Sequence, residues 1–196
     1  MRTALAALLL MSTPAFAQDV VDSVVTTPKA DQGIGASLGI AGGGRSTPGG
    51  LRVAGHYLYQ LSSTDWFDGI ASFTFGADSS GCYRDDMDAM QCTHSATSGS
   101  GVAIGATVRR MFGTGDIVPF ARAGLGVQIV RFRADDVTGL AIPLHFGGGV
   151  RAKVAPAVAV VAQGELDLGV GAYTHGLGAE PILGLAITAG AEFELR

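Results

Sequence analysis

The chain has 196 residues, 47% of them hydrophobic, with 17 acidic against 13 basic residues and a formal net charge of −4. The acidic balance argues against a nucleic-acid-binding protein, and the length fits a single domain. After the N-terminal region there is no run of roughly 18 uncharged apolar residues, which argues against a transmembrane helix. A hydrophobic chain with 30 glycines and no such helix indicates a β-barrel.

The N-terminal residues predict export. Residues 1–17 contain one basic residue and an apolar run, and they end in AFA. This pattern matches a cleaved secretory signal whose apolar run is too short to span a bilayer. Its removal takes away Arg2 and makes the formal charge one unit more negative. Residues 18–32 are polar and show no period, so we expect a short periplasmic lead-in before a barrel that spans residues 33–196.

Eight segments with alternating apolar and polar residues follow, separated by turn residues. They cover residues 33–43, 51–61, 66–75, 101–112, 118–132, 140–153, 156–170 and 182–195. In the seventh, valines and leucines alternate with Gln163, Glu165 and Asp167. Side chains alternate faces along a strand, so one face of this segment is apolar and the other is polar. The sequence therefore predicts an all-β fold, an eight-stranded antiparallel up-and-down transmembrane β-barrel.

The lengths of the predicted connections also alternate. The connections at 62–65, 113–116 and 154–155 are tight, whereas those at 44–50, 77–100, 133–139 and 171–181 are longer. Short turns on one side and long loops on the other are typical of outer-membrane barrels. Because the apolar stripe recurs and nothing else in the chain can cover it, lipid is its expected cover. Pro143 lies inside the sixth segment, where we expect a bulge or a lost ladder bond.

Aromatic residues are expected to form two girdles, one at each membrane interface. The periplasmic girdle would contain Tyr57, Tyr59, Phe67, Phe112 and Phe193, and the outer girdle Phe73, Phe75 and Tyr173.

The export signal, the eight segments and the alternating loop lengths resemble the small outer-membrane β-barrels of Gram-negative bacteria. This group includes the outer-membrane protein A barrel and its adhesin-like relatives. The resemblance covers about residues 33–196 and is one of architecture. It implies a multi-pass barrel in the outer membrane, surrounded by lipid and lipopolysaccharide. Members usually end on an aromatic residue, whereas Phe193 is followed by three residues here, so we expect a displaced insertion signal.

Charged residues with inward parity are expected to form an internal network. They are Arg52, Asp68, Arg109, Arg122, Arg151, Lys153, Glu165, Asp167, Glu192 and Glu194. An eight-stranded barrel is just wide enough for side chains to fill it, and buried charges persist when they are paired. We therefore expect a salt-bridged, mostly plugged lumen that His56 and His145 join. The alternative is a narrow channel for small solutes. Glycines with inward parity would make room for the long arginines or leave water-filled pockets.

The longest loop contains Cys82 and Cys92, which we expect to form a disulfide in an oxidising compartment. Two free thiols or a metal site are the alternatives. Between the cysteines lies an acidic cluster of Asp85, Asp86 and Asp88. Carboxylates suit calcium, but the spacing lacks the glycine and glutamate of a dedicated calcium loop, so a solvated loop is expected.

The histidines of the outer loops allow two alternative hypotheses, a metal site and a catalytic site. His94 and His175 lie in different outer loops and could meet in a two-histidine metal site. A lipid-modifying hydrolase or acyltransferase needs a serine activated by a histidine, and the only adjacent candidate is His94 with Ser95.

The sequence thus favours a monomeric barrel that acts through its outer loops in surface interaction, adhesion or envelope integrity. Its expected partners are outer-membrane lipid, lipopolysaccharide and an extracellular ligand or host surface. No catalytic residue, cofactor or metal is predicted.

Overall fold

The computed structural model describes residues 31–195, which form ten strands. The strands are β1 (Gln32–Gly42), β2 (Gly50–Gln60), β3 (Asp65–Phe75), β4 (Cys82–Arg84), β5 (Met90–Cys92), β6 (Ser100–Met111), β7 (Ile117–Phe132), β8 (Val137–Ala155), β9 (Val158–Tyr173) and β10 (Gly178–Leu195). The predicted signal and most of the predicted lead-in lie outside the described residues, as does residue 196. Among residues 31–195, no helix has the length and apolar character needed to cross a membrane.

Eight strands form one closed ring in the order β1-β10-β9-β8-β7-β6-β3-β2, with antiparallel neighbours throughout. The first and last strands close the ring, because Ile34 of β1 pairs with Tyr57 on one side and with Phe193 on the other. Closure leaves no free edge in the ring. The predicted fold class is confirmed. The two remaining strands, β4 and β5, pair with each other in the loop between β3 and β6.

The apolar face of each strand points out of the barrel. In β10, Leu183, Leu185 and Ile187 are 61–69% exposed, whereas Thr188 and Glu192 are buried. A soluble barrel would have an apolar interior, so this arrangement is the reverse of a soluble one and suits hydrocarbon around the ring.

The aromatic residues predicted for the two girdles follow this orientation with one exception. Phe73 and Phe75 are exposed and stacked, with ring centroids 6.2 Å apart, and Phe193 is also exposed. Tyr173 was expected in the outer girdle, and that expectation is wrong. Its parity in β9 is that of Glu165, so its ring lies inside the barrel and is 8% exposed.

The strands extend further on the outer side than the sequence predicts. β8 begins at Val137 and β10 at Gly178, so two of the predicted long loops shrink to residues 133–136 and 174–177. Asp136 and His175 make these tight turns with φ values of 51° and 59°, a left-handed conformation that aspartate and histidine tolerate better than most residues. The long outer connections are therefore residues 43–49 and 76–99.

Proline affects two places in β8 and its neighbours. Opposite Pro143 the pairing of β7 with β8 is interrupted without a change in register, which is the lost ladder bond that the sequence predicts. Pro156 was expected to begin the seventh segment, but it lies in the turn before β9, next to a register shift between Lys153 and Ala155.

We expect the protein to fractionate with the outer membrane and to resist extraction by high salt, because the apolar belt needs lipid. We also expect its gel mobility to differ between boiled and unboiled samples, since a closed barrel resists detergent until it is heated. Recovery as a soluble periplasmic monomer would contradict the assignment of the exposed face to lipid.

Candidate functional site: the charged lumen and the outer cap

The inward faces carry a continuous chain of ion pairs in which the charges alternate in sign. At the end of the barrel that carries the connections at residues 61–64, 112–116 and 156–157, Arg151 contacts Glu194 at 2.9 Å and Glu192 at 3.1 Å. Glu192 accepts a second hydrogen bond from Arg109 at 2.5 Å. Side-chain exposure falls along this path, from 30% for Glu194 to 6% for Glu192 and 1% for Arg109. The chain of ion pairs thus begins at the periplasmic mouth of the barrel and extends into its interior.

Asp68 lies at the centre of this chain of ion pairs. Its side chain is fully buried and accepts hydrogen bonds from Arg109 at 2.7 Å and Arg122 at 3.4 Å. His56 lies 3.0 Å from its other oxygen, and the opposite ring nitrogen of His56 is 3.2 Å from Ser37. One carboxylate therefore links residues from four strands.

Glu165 continues the chain into the outer half of the barrel. It pairs with Arg122 and, at 2.5 Å, with Arg52. Arg52 also donates to Asp167 at 3.2 Å, and Asp167 is 2.6 Å from His145. We call these residues the lumen network: Arg52, Asp68, Arg109, Arg122, Arg151, Glu165, Asp167, Glu192 and Glu194.

Nine of the ten predicted lumen residues are thus brought together, and Lys153 is not. Lys153 is exposed and has no ion pair with any of residues 31–195. The network therefore holds four guanidinium groups against five carboxylates, and His56 and His145 touch it as polar partners. Ser37, which supports His56, was not among the predicted residues of the network. Its inward parity in β1 was the available signal.

Glycine makes room for the histidine as well as for an arginine. A side chain at Gly126 would place a Cβ 2.6 Å from Nε2 of His145, and one at Gly147 would lie 3.3 Å from Nε of Arg122. The long polar side chains therefore fit because these positions have no Cβ.

Above the network, the outer end of the lumen is apolar. An outer apolar cluster fills it, consisting of Val130, Phe132, Val137, Ala141, Tyr173 and Ile182. Tyr173 donates to the carbonyl oxygen of Ser46 at 2.8 Å, so its ring is buried while its hydroxyl is satisfied. These residues have inward parity in their strands, and parity extended to the strand ends would have found them.

The two long loops fold over this cluster and form an outer cap, residues 43–49 and 76–99. Gly43 and Gly49 donate backbone hydrogen bonds to Ala96 and Ser98 at 2.8 and 2.9 Å. Thr47 accepts from the backbone of Leu183 in β10 at 3.1 Å. These hydrogen bonds thus join the two loops of the cap to each other and to the barrel wall.

His94 holds the cap together, a role that the sequence pattern did not predict. Its side chain is 0% exposed and stacks on Phe132 with a centroid distance of 3.7 Å. Nδ1 contacts the carbonyl oxygen of Arg45, and Nε2 lies 2.8 Å from Asp135. His175 instead lies near Asp136 at 4.0 Å and is half exposed. The structure therefore does not bring His94 and His175 together as metal ligands.

Asp135 is fixed by several donors from the loop above it. Ser80 donates to it at 2.5 Å and the backbone of Gly81 at 2.8 Å. Burial raises the pKa of Asp135, but these hydrogen bonds and the one from His94 outweigh it, so the pKa lies below its usual value.

The cysteines form the predicted disulfide. Cys82 and Cys92 face each other across β4 and β5 with Cα atoms 4.1 Å apart. Of the acidic cluster between them, Asp85 accepts backbone hydrogen bonds from Met87 and Ala89 at 2.9 Å. The hydrogen bond from Ala89 is the main reason why the pKa of Asp85 lies below its usual value. Asp88 pairs with Arg84 at 2.9 Å. These oxygens are used within the hairpin, which argues against a calcium loop.

The comparisons agree with this architecture. No family model matches the chain, and neither does any curated protein. Among solved structures, Neisserial surface protein A is 15% identical with a TM-score of 0.60, and the alignment covers 84% of this chain and 97% of that one. Outer membrane protein AlkL in DMPC bilayers is 10% identical, with coverages of 92% and 97% and a TM-score of 0.52.

The N-terminal β-barrel domain of Pseudomonas aeruginosa OprF is 14% identical, with coverages of 85% and 100% and a TM-score of 0.50. The chain has the fold of the small outer-membrane β-barrels. The resemblance inferred from the sequence is confirmed at this level, and at such low identity it extends to the fold alone.

We expect Glu165→Gln to destabilise the folded barrel by about 3 kcal/mol, the lower end of the usual loss when one partner of a buried pair is removed. The lower end applies because Arg52 keeps Asp167 and Arg122 keeps Asp68. The measurement is the urea midpoint in detergent, followed by the fluorescence of Trp66, the only tryptophan.

Glu194→Gln is the matched control, since Glu194 lies at the mouth and is 30% exposed. It should cost less than about 1 kcal/mol, as exposed pairs do. Equal losses for both variants would show that the interior pair is no more important than the one at the rim.

Proposed function

We propose that the protein is an integral outer-membrane barrel with a closed lumen that acts through its outer loops, in attachment to a surface or in envelope integrity. The observation that supports closure is the alternating lumen network beneath the outer apolar cluster. Solute would have to pass both, and the first requires separation of paired, buried charges. Removing one partner from such a pair typically costs about 3–5 kcal/mol.

The hairpin of β4 and β5 supports a role in contact. Tyr83 is 59% exposed and Met87 is 87% exposed at its outer end, and tyrosine and methionine are enriched in protein interfaces. The disulfide and the anchor of His94 hold this hairpin in one place, which lowers the entropy that binding would otherwise cost. The neighbouring Asp86 and Asp88 favour a partner that presents basic groups beside an apolar patch.

A narrow channel is the second candidate, and cavities along the lumen favour it. A periplasmic cavity of about 280 Å³ is lined by Trp66, Arg151 and Glu194 among others. Two cavities of about 10 Å³ each lie beside Arg109 and Arg122, and each is about large enough for one water molecule. The Nε atoms of these two arginines have no hydrogen-bond partner within residues 31–195, so water beside them would be favourable.

Lipid-modifying catalysis has less support. A serine nucleophile needs a histidine nitrogen to take its proton, and in His94 both nitrogens face other acceptors, the carbonyl oxygen of Arg45 and the carboxylate of Asp135. We therefore propose a barrel without enzymatic activity.

If the hairpin is the contact surface, the double variant Tyr83→Ala/Met87→Ala should reduce attachment of protein-expressing cells by at least about tenfold, the effect of losing about 1.4 kcal/mol of contact energy. The measurement is cell retention on a panel of immobilised extracellular-matrix proteins, compared with cells that lack the barrel. The amounts of folded barrel in the compared cells are matched by the intensity of the gel band whose mobility changes on heating.

His175→Ala is the control, because it changes a half-exposed residue of another outer loop and should leave attachment unchanged. Attachment that both variants retain in full would contradict the role of the hairpin.

A further inference from the structure

The disulfide, His94 and Asp135 together form a cluster that the closed-barrel function does not use. Sγ of Cys82 lies 3.8 Å from Nε2 of His94, which is 2.8 Å from Oδ2 of Asp135. The three ligand atoms are all within 4.8 Å of one another. Cys92 lies beside this group without belonging to it: its side chain is buried, and its sulfur is bonded to that of Cys82, so reduction frees a second thiol next to the three ligand atoms.

We propose that the reduced protein binds one zinc ion through Cys82, Cys92, His94 and Asp135. Two thiolates, an imidazole and a carboxylate are all ordinary zinc ligands, with bonds of about 2.0–2.3 Å. In a tetrahedral site such bonds place ligand atoms about 3.3–3.8 Å apart. The separations of 2.8 Å between His94 and Asp135 and of 3.8 Å between Cys82 and His94 lie close to this range. The two sulfurs, bonded at 1.90 Å, reach it only after the S–S bond is broken.

The surroundings of His94 and Asp135 are those of metal ligands. A zinc-bound histidine usually donates its other ring N–H to a carbonyl or carboxylate, which fixes the ring. Nδ1 of His94 faces the carbonyl oxygen of Arg45, while Nε2 points at the cysteine and the carboxylate. Asp135 is held in turn by Ser80 and by the backbone of Gly81. A buried imidazole aimed into the cluster is therefore already oriented.

A dithiol or phosphine reductant supplies two electrons to the S–S bond and is itself oxidised, and the two sulfurs of Cys82 and Cys92 each take up a proton. Zinc then displaces these two protons and also the proton that Nε2 of His94 donates to Asp135, so that Nε2 can offer its lone pair while Nδ1 keeps its proton for the carbonyl oxygen of Arg45. Binding thus requires the dithiol form, and zinc would keep the hairpin attached to the cap after the disulfide is broken.

The test compares oxidised and reduced forms of the full-length folded barrel in detergent, after excess reductant has been removed. We expect the reduced form to bind one Co²⁺ with thiolate-to-cobalt absorption in the near ultraviolet, and zinc to displace it. X-ray absorption of the zinc form should show two sulfur and two nitrogen or oxygen neighbours. The oxidised form should give no such absorption.

His94→Asn and Asp135→Asn should each weaken zinc affinity by more than about 100-fold, since even loss of a residue that only supports a ligand costs about 10–100-fold. His175→Asn is the control and should bind as the unchanged protein does. Folding of each variant is checked by its gel mobility before and after heating.

Three results would overturn the proposal. The first is a reduced, unchanged protein that binds no more cobalt than the oxidised one. The second is a zinc coordination sphere without sulfur or with sulfur alone. The third is unaltered affinity in His94→Asn and Asp135→Asn, which would leave the two cysteines as the only ligands.

Discussion

Charge pairing inside a lipid-surrounded barrel is the constraint on which the rest of this structure depends. With the apolar faces of eight strands turned outward, the charged faces have only the lumen to occupy, and an unpaired charge there costs several kcal/mol. In this protein, residues on different strands form a row of ion pairs in which positive and negative charges alternate, from Glu194 at the periplasmic mouth to Asp167 in the outer half. Because each arginine contacts two carboxylates, the network also joins strands that do not neighbour each other in the ring.

The outer end of the lumen is filled by apolar side chains and not by ion pairs. Where the lumen network ends, apolar side chains fill the barrel, and the cap closes over them. His94 connects these layers, because its ring stacks on Phe132 of the cluster while its nitrogens reach Arg45 and Asp135 in two other outer loops. The hairpin that carries Tyr83 and Met87 is closed by its disulfide, and hydrogen bonds from Ser80 and Gly81 to Asp135 attach it to this assembly. The proposed contact surface and the proposed closed lumen thus depend on the same packing.

Much of this could be predicted from the sequence, since two-residue periodicity decides which side chains face lipid. It placed Arg52, Asp68 and Glu165 inward, and it would have placed Tyr173 there too had the parity of its strand been followed. Lys153 shows where parity is insufficient. It has the same parity as Arg151 but lies one step nearer the mouth, where a lysine reaches solvent.

The cap could not be predicted in this way. Loop residues have no period, so the burial of His94 and its contact with Asp135, 41 residues away, depend on how the loops fold over the barrel. The same holds for the outer turns, whose lengths depend on Asp136 and His175 adopting left-handed backbone conformations. Pairing partners within the lumen were also undetermined, because they depend on the stagger of the strands and on the glycines that leave room for His145 and Arg122.

Ionic conductance of the purified protein in a planar lipid bilayer tests the closed lumen most directly. The account predicts little or no steady conductance for the unchanged barrel, because the lumen network and the outer apolar cluster lie in series along the lumen. It also predicts leakage in Glu165→Gln, where Arg52 and Arg122 each lose a carboxylate partner. Stable, ion-selective openings in the unchanged barrel would contradict this account, and a change of selectivity without a change of stability in Glu165→Gln would identify the lumen as a channel.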